Sequence, residues 1–550
     1  MNISSKIRNV IVCALKEINE DIDANGLNFV IEIPKDNKNG DYASNIALQL
    51  TKIIKKKPRE IAEDIISHIN LIDNNIERIE IAGPGFINFY IKQDSLAEII
   101  SKIISKGDDY GKSSHGAGLS YNVEFISANP TGRLHLGHAR QAALGDSLCR
   151  ILEASGYSVT REYYVNDAGN QIHNLTLSVK ARYLQLCGKE AVLPEDGYHG
   201  EDIIEIAKKL YDEYGDKFID DNTEDTYWLI RNKSVEFELE QIKKDLLDFR
   251  VEMDTFSSES EIRKRGMVEH TIEILKFSGN VYTKDNALWL KSTDYGDDKD
   301  RVLIKSDGSY TYLTPDIAYH IDKLSRGYNY LVDLLGADHH GYINRLKASI
   351  MALGHNSDKL EVDIVQMVRL IKDGEEFKMS KRSGNAITLK ELCNEVGVDA
   401  VRYFFISRSG SSHLDFDIGL AKSYSSDNPV YYAQYAHARM CSILESAKKL
   451  ELQPVEVYDK ISTTNETALL KILMEFEDVI IDCAQNRAPY KMANYIQHIA
   501  QLFHSFYNEC RVIDENNLEL TSQRLKLVQA TKIVLANALS LIGVSAPQSM

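Results

Sequence analysis

The chain has 550 residues, 43% hydrophobic and 26% charged, a composition typical of a globular protein but a length too great for one hydrophobic core. A net charge of −17 argues against an extended basic surface, although a local basic groove can lie on an acidic protein. Seven scattered cysteines form no C-x-x-C pair, which disfavours a zinc or redox motif. The N-terminus is too polar for a signal peptide and no run is long enough to span a bilayer, so we expect a cytoplasmic protein without membrane attachment.

Residues 1–113 mix helical patterns with short strands and predict a small α+β domain. The first eighteen residues or so are amphipathic, as in a surface helix. Residues 86–91 alternate with period two directly after the turn 83–85 and predict a strand. The stretch 107–118 is rich in Gly and Ser and is typical of a linker.

From residue 121 the pattern changes to that of an α/β domain. Residues 121–126 read as a short apolar strand, 127–132 as a loop, and about 138–154 as a helix. Strand, loop and helix in this order open a Rossmann-like nucleotide-binding unit with a parallel sheet. We assign residues 114–406 to this domain, with an acidic helical insertion at about 172–260.

Strand patterns return at 287–290, 302–304 and 330–335, and none is evident after about residue 407. Residues 419–545 read as successive amphipathic helices. The sequence therefore predicts that 407–550 form an all-α helical bundle.

The strongest local motif is His135-Leu136-Gly137-His138, where a strand gives way to a helix N-terminus. Free backbone N–H groups and the helix dipole favour a phosphate there. His135 and His138 can donate hydrogen bonds to a phosphoryl oxygen, and Gly137 lets a nucleotide approach the backbone. An ordinary pair of capping or core histidines explains the motif alone about as well.

A second motif, Lys378-Met379-Ser380-Lys381, follows about 240 residues later in a basic loop flanked by glycines. Its two lysines can neutralise the β- and γ-phosphates of ATP as pyrophosphate leaves. Taken alone, such a run is more often a solvated charged loop.

Together, the two motifs in this order resemble the paired signature of class I aminoacyl-tRNA synthetases. The resemblance implies that His135 and His138 stabilise the transition state of adenylate formation and that Lys378 and Lys381 hold pyrophosphate. ATP would contact Gly137, Met379 and Ser380 as well, with Mg²⁺ accompanying the nucleotide and no metal held by the protein.

Further segments along nearly the whole chain resemble arginyl-tRNA synthetases of the bacterial type. They are residues 124–132, 166–171, 198–200, 306–320, 336–341, 399–404 and 427–439. The implied activity is an arginine–tRNA ligase, which joins L-arginine to its tRNA through an arginyl-adenylate.

An arginine guanidinium needs a carboxylate and other acceptors in a fixed fork, and Asp316 with Tyr312 is the candidate pair. The resemblance implies that Glu124, Asn129 and Gln171 bind the α-amino and α-carboxylate end of the substrate. It also implies that His339 lines the pocket near the substrate. Asp316 also suits a helix N-cap, and both roles are compatible. Pro315 departs from the family's pattern, and we expect it at the first position of a helix, where proline is tolerated.

The flanking domains carry the residues expected to meet tRNA. The motif at 38–45 resembles the family's N-terminal domain, where Tyr42 or Asn45 would face the tRNA elbow. In the C-terminal domain, Tyr431, Tyr432 and Tyr435 offer faces for unstacked bases, although we expect at least one of them to belong to the core. The resemblance also places Met550 near the anticodon, and we expect a monomer.

Three other functions compete with this interpretation. Another class I synthetase is possible in principle, but a cysteinyl enzyme would need a cysteine cluster that the chain lacks. A small nucleotidyltransferase shares the histidine loop but not the lysine motif or the helical tail. An inactive RNA-binding relative would not be expected to keep His135, His138, Lys378 and Lys381.

Overall fold

The computed structural model describes residues 3–19, 27, 29–32, 34, 39–71, 76–92, 98–376, 387–450, 452, 455 and 457–550. The lysine motif at 378–381 therefore lies outside the described residues. Within the described part, no helix combines the length and the apolar composition needed to cross a membrane.

The N-terminal part is a four-stranded antiparallel sheet of order β1-β2-β4-β3, covered by helices. The amphipathic start forms a helix as predicted, and the period-two alternation forms strand β4. The elements are α1 (Ile3–Ile18), β1 (Ile31–Glu32), β2 (Tyr42–Ser44), α2 (Ile46–Gln49), α3 (Thr51–Ile54), α4 (Pro58–Ser67), β3 (Ile76–Ala82) and β4 (Phe86–Ile91).

A five-stranded parallel sheet of order β12-β11-β5-β6-β7 forms the centre of the molecule. This is the predicted Rossmann-like arrangement, in which parallel strands are joined through helices on the sheet faces. Its strands and the helices along the way are α5 (Ile99–Lys106), β5 (Ser120–Glu124), α6 (Leu136–Ala154), β6 (Ser158–Val165), α7 (Asn170–Leu186), α8 (Glu201–Tyr214), α9 (Glu224–Asp248), β7 (Thr255–Ser258), β11 (Tyr330–Gly336) and β12 (Leu360–Val365).

The acidic stretch is helical through α7, α8 and α9, as expected, and these helices have their own apolar core. Its last residues differ from the expectation, because β7 pairs in parallel with β6 and belongs to the central sheet. Four residues are too few to show a strand period, so a distant partner decides this assignment.

Between β7 and β12 a small antiparallel sheet of order β10-β9-β8 stands beside the central one. The elements here are α10 (Glu259–Lys264), α11 (Met267–Phe277), β8 (Val281–Lys284), β9 (Ala287–Leu290), β10 (Arg301–Ile304), α12 (Leu313–Ser325) and α13 (Ile343–Ala352).

The C-terminal part is a helical bundle, but it does not begin at residue 407. Strand β15 pairs in parallel with β13, so a strand lies where none was expected, and the all-helical part starts after Asp417. The remaining elements are β13 (Val368–Lys372), β14 (Glu375–Glu376), α14 (Leu389–Val396), α15 (Val398–Ile406), β15 (Leu414–Asp417), α16 (Ile418–Lys422), α17 (Pro429–Ala447), α18 (Thr464–Met474), α19 (Phe476–Gln485), α20 (Pro489–Glu509) and α21 (Leu518–Leu541).

One continuous apolar core links all three parts of the chain. The Tyr110 hydroxyl donates to the carbonyl of Leu473 at 2.9 Å, and Lys471 pairs with Asp41 at 2.5 Å. The N-terminal unit is thus packed against the C-terminal helices as well as joined to the central domain.

Candidate active site

The candidate site lies at the carboxyl ends of β5 and β11, where ligands bind in open parallel sheets. The loop from β5 to α6 holds Ile126 and Ser127 at φ values of 74° and 40°. A β-branched residue such as Ile126 rarely adopts this left-handed conformation, and such strain concentrates at functional sites. The Tyr163 hydroxyl fixes the loop by donating to the Ala128 carbonyl at 2.7 Å.

Helix α6 packs unusually close to the end of β5. A Cβ placed on Gly145 would lie 2.3 Å from the Phe125 ring, so the absence of a side chain permits the contact. This close approach carries the N-terminus of α6, and with it the histidine motif, to the edge of the sheet.

The two histidines stack at that N-terminus, with ring centroids 3.7 Å apart and planes 25° apart. His135 caps the helix, and its Nδ1 accepts the backbone N–H of Gly137 at 3.1 Å. The Nδ1 of His138 accepts the backbone N–H of His135 at 3.3 Å. A ring nitrogen that accepts carries no proton, so each neutral ring keeps its proton on Nε2 and can donate it outward.

Electrostatics favour the neutral rings. Burial lowers the pKa of His135. Burial, and then repulsion from His135, lower the pKa of His138 to about 3. At neutral pH the helix N-terminus therefore presents two uncharged N–H donors together with its own dipole, an arrangement suited to a phosphoryl group.

The segment that follows the lysine motif is attached to the histidine motif. The backbone N–H of Leu389 donates to the carbonyl of Leu134 at 2.7 Å, and Thr388 forms a bridge pair with His135. Strand β14 ends at Glu376 on the other side of the motif. Lys378, Met379, Ser380 and Lys381 themselves lie outside the described residues.

The candidate arginine residues lie at or after the end of β5, at the N-terminal turns of α7 and α12, and after β11. The Asn129 amide donates to Gln171 Oε1 at 2.5 Å, which brings two of them together. Tyr312 is 80% exposed at the start of α12, whereas the Asp316 side chain is 24% exposed one turn further on. His339 follows β11 with a half-exposed side chain and lies 3.5 Å from Asp338.

The expected helix start at Asp316 is wrong. Helix α12 begins at Leu313 with Tyr312 before it, so Asp316 lies inside the first turn and does not cap the helix. Pro315 consequently occupies the third helical position, where its missing N–H still removes no helical hydrogen bond. The negative charge of Asp316 remains favourable there because it faces the positive end of the helix dipole.

Glu124 is more enclosed than expected. It belongs to a row of three carboxylates, since β5 places it in register with Glu162 of β6 and Asp333 of β11. The Lys323 ammonium donates to Glu124 at 2.7 Å and to Asp333 at 2.6 Å. Glu124, His320 and Asp333 have the donor types of a metal site, and Lys323 already donates to both of the carboxylates.

Sequence reasoning missed this buried cluster. His320 and Lys323 lie on α12 four and seven residues after Asp316, so helical spacing alone places all three on one face. The second signal was Asp333, a carboxylate inside the apolar strand β11.

The proposed tRNA contacts are placed unequally. Tyr42 is buried in β2 at 6% exposure, and burial raises its pKa, so little of its side chain is open to tRNA. Asn45 is half-buried and accepts the backbone N–H of Val30 at 3.1 Å. Met550 is exposed, beyond a tail anchored where Asp399 accepts the Ser545 N–H at 2.9 Å.

The C-terminal tyrosines form an aromatic ladder on α17. Tyr431 and Tyr435 stack with centroids 6.0 Å apart, and Tyr435 stacks in turn on His504. Tyr432 is half-buried and packs against the core, while Tyr435 is 38% exposed.

Three family models cover most of the chain. The arginyl-tRNA synthetase N-terminal domain matches residues 5–91, the class I (R) tRNA synthetase catalytic domain residues 99–404, and the DALR anticodon-binding domain residues 433–550. The match over residues 99–404, together with the parallel sheet, places the chain among the class I aminoacyl-tRNA synthetases, a class that uses ATP.

Relatives identify the family within this class. The chain is 53% identical to the arginine–tRNA ligase of Bacillus cereus over 95% of its own length and 94% of that protein. It is 50% identical to that of Bacillus licheniformis over the full length of both. An arginyl-tRNA synthetase structure from Thermus thermophilus covers both chains fully with a TM-score of 0.78 at 22% identity, a likeness of fold alone. The chain belongs to the arginyl-tRNA synthetase family, the arginine–tRNA ligases.

Proposed function

We propose that the α6 N-terminus is the phosphate-binding element for the first step of arginine–tRNA ligation. An oxygen of the arginine carboxylate attacks the α-phosphate of ATP, the bond to the β-phosphate breaks, and pyrophosphate leaves. The Nε2–H groups of His135 and His138 donate to the phosphoryl oxygens as negative charge builds. The observation that carries this proposal is the pair of Nδ1 acceptor bonds, which aim both Nε2–H donors away from the helix.

The lysine motif supplies the positive charge for the leaving group. Lys378 and Lys381 neutralise pyrophosphate, with Met379 and Ser380 beside the nucleotide, and Mg²⁺ enters as part of the ATP substrate. The bond from Leu389 to Leu134 supports this role because it ties the end of the loop to the start of α6.

Arginine lies between α12 and the Asn129–Gln171 pair. Asp316 accepts from the guanidinium and Tyr312 closes over it, while Asn129 and Gln171 bind the α-amino and α-carboxylate end. His339 lines the outer wall, and Glu124, which is paired with Lys323, lies on the floor. The Asp316 carboxylate supports this orientation because its side chain is 24% exposed, whereas those of Glu124 and Asp333 are at most 8% exposed.

In the second step a ribose hydroxyl at the tRNA 3′ end attacks the adenylate carbonyl, and AMP leaves. We assign residues 1–113 and the helical C-terminal part to tRNA binding, and 114–406 to catalysis. Asn45, Tyr431, Tyr435 and Met550 remain candidate contacts. We further propose that the protein acts as a monomer in the cytoplasm.

ATP–pyrophosphate exchange with a panel of amino acids, measured with and without arginine tRNA, tests this function. Among the amino acids tested, we expect only L-arginine to support exchange. We expect this exchange to be much stronger when tRNA is present. Exchange supported by another amino acid in preference to arginine would overturn the assignment.

A further inference from the structure

The Asp316 carboxylate is held from behind by two side chains that do not belong to the pocket described above. His320 lies one helical turn further along α12, and its Nδ1 is 2.8 Å from the Asp316 carbonyl and 3.2 Å from the Asp316 Oδ1. Tyr342, from the turn after β11, lies beside the same carboxylate, since burial and then the Asp316 charge raise the pKa of its hydroxyl. Asp316 therefore has a neighbour on its own helix and another on the turn after β11.

Both ring nitrogens of His320 face acceptors. On the far side, Nε2 lies 2.8 Å from Asp333 Oδ2. A ring with an acceptor at each nitrogen binds both best as the doubly protonated imidazolium. Burial opposes the charge, yet Asp316 and Asp333 outweigh it and raise the pKa of His320 to about 10.

Asp333 in turn connects His320 to the rest of the cluster. Its Oδ1 accepts from Lys323 at 2.6 Å, and Lys323 donates onward to Glu124. The side chains of His320, Lys323 and Asp333 are at most 4% exposed. Water therefore cannot replace any partner in this chain of ion pairs. The open end of the chain is Asp316.

Two oxygens of one carboxylate cannot be rotated independently. With His320 Nδ1 3.2 Å from Oδ1, the part of the Asp316 side chain that stays exposed, 24%, is what remains open to a guanidinium. A guanidinium needs its acceptor at a fixed distance and in its own plane, so a carboxylate free to rotate would bind it less tightly.

We propose that His320 and Tyr342 are positioning residues for arginine selection, which hold the Asp316 carboxylate in the orientation that accepts the guanidinium. This inference rests on the proposed role of Asp316. Neither residue is among those proposed to bind ATP, so their removal should affect arginine binding and leave nucleotide binding unchanged.

The test is a set of aminoacylation measurements on the full chain with tRNA, giving KM for arginine, KM for ATP and kcat. His320→Asn should raise KM for arginine about 10- to 100-fold, the range of a lost hydrogen bond to a charged group. Tyr342→Phe keeps the ring and should raise it about tenfold. In both variants we expect KM for ATP to stay within about twofold of wild type.

A double-mutant cycle separates positioning from a general effect on the fold. Because His320 acts through Asp316, His320→Asn added to Asp316→Asn should change KM for arginine by less than about twofold. Asp322→Asn is the matched control, since Asp322 is also on α12 and pairs with Arg265 at 3.0 Å and with Arg326, away from the pocket. It should lower the melting temperature without changing KM for arginine.

Multiplying effects of His320→Asn and Asp316→Asn, or a parallel rise in KM for ATP, would overturn the positioning role. If the His320 variant does not fold, Tyr342→Phe decides alone, and an unchanged KM for arginine rejects the inference. An Asp316→Asn variant with unchanged KM for arginine would instead reject the proposed pocket itself. If Asp316→Asn raises KM for arginine and neither His320→Asn nor Tyr342→Phe does, only the positioning role of His320 and Tyr342 is rejected.

Discussion

The backbone N–H of Leu389 donates to the carbonyl of Leu134 at 2.7 Å, which joins the segment after the lysine motif to the residue before the first histidine. Beside this bond, Thr388 pairs with His135. Two stretches that are far apart in sequence therefore meet at the N-terminus of α6. Any nucleotide held by the histidines lies next to the anchor of the lysine loop.

This anchor predicts a specific effect of Thr388→Ala. Thr388 forms a capping box with Glu391 at the start of α14, so its loss should cost about 1 kcal/mol of stability and loosen the loop. We expect KM for ATP to rise while KM for arginine does not. Thr463→Ala removes the equivalent capping box from α18 and is the matched control. An equal rise in KM for ATP in the control would contradict the role of the anchor.

The paired histidines predict graded losses in the activation step. His138→Ala should lower the rate of pyrophosphate exchange by about 10²–10³, the usual cost of one preorganised donor. His138→Gln keeps an N–H near the position of Nε2 and should lose less. If the alanine variant keeps its rate and loses only arginine affinity, His138 does not serve the phosphate.

The same histidine predicts a flat acid side of the pH profile. Burial lowers the pKa of His138 to about 3, so the ring stays neutral through mildly acidic pH. Exchange rates between about pH 5.5 and 7 should therefore show no loss from protonation of an ordinary histidine. Comparing the wild type with His138→Gln checks this, because an acid limb present in the first and absent in the second would assign the titration to His138.

Gly145→Ala should destabilise the protein, although alanine is the better helix former. The added Cβ would clash with Phe125 at 2.3 Å, and such overpacking typically costs about 1–3 kcal/mol. Gly341→Ala meets open space and serves as the control. Thermal or denaturant unfolding measures both, and a stabilised Gly145→Ala variant would show that α6 does not need this approach.

Glu238 predicts a pH-dependent change in stability. Burial, and then Asp202, raise its pKa from 4.5 to about 8. The folded state then keeps a proton that the unfolded state releases, so stability falls as pH rises from 4.5 through about 8. Glu238→Gln removes this cost and should melt higher than wild type at about pH 9, and equally at about pH 5. Glu240 is exposed on the same helix, so Glu240→Gln should not raise the melting temperature at about pH 9 in this way.

Local patterns in the sequence were enough for several features of this protein. The strand–loop–helix order around residues 121–154, the helical acidic stretch and the helical C-terminal part follow from short-range periodicity and turn chemistry, which need no distant partner. The two motifs that carry the chemistry are likewise short. Their order and the segments around them are enough to indicate the arginyl-tRNA synthetase family.

Only the tertiary structure decided which of these residues face solvent, substrate or core. Strands β15 and β7 form because each pairs with a strand distant in sequence. Each is only four residues long, too short for its hydrophobic pattern to predict a strand. Tyr42 became a core residue, and α12 began three residues before Asp316. The buried bonds from Lys323 to Glu124 and Asp333 depend on register between β5 and β11, a long-range relation that no local pattern contains.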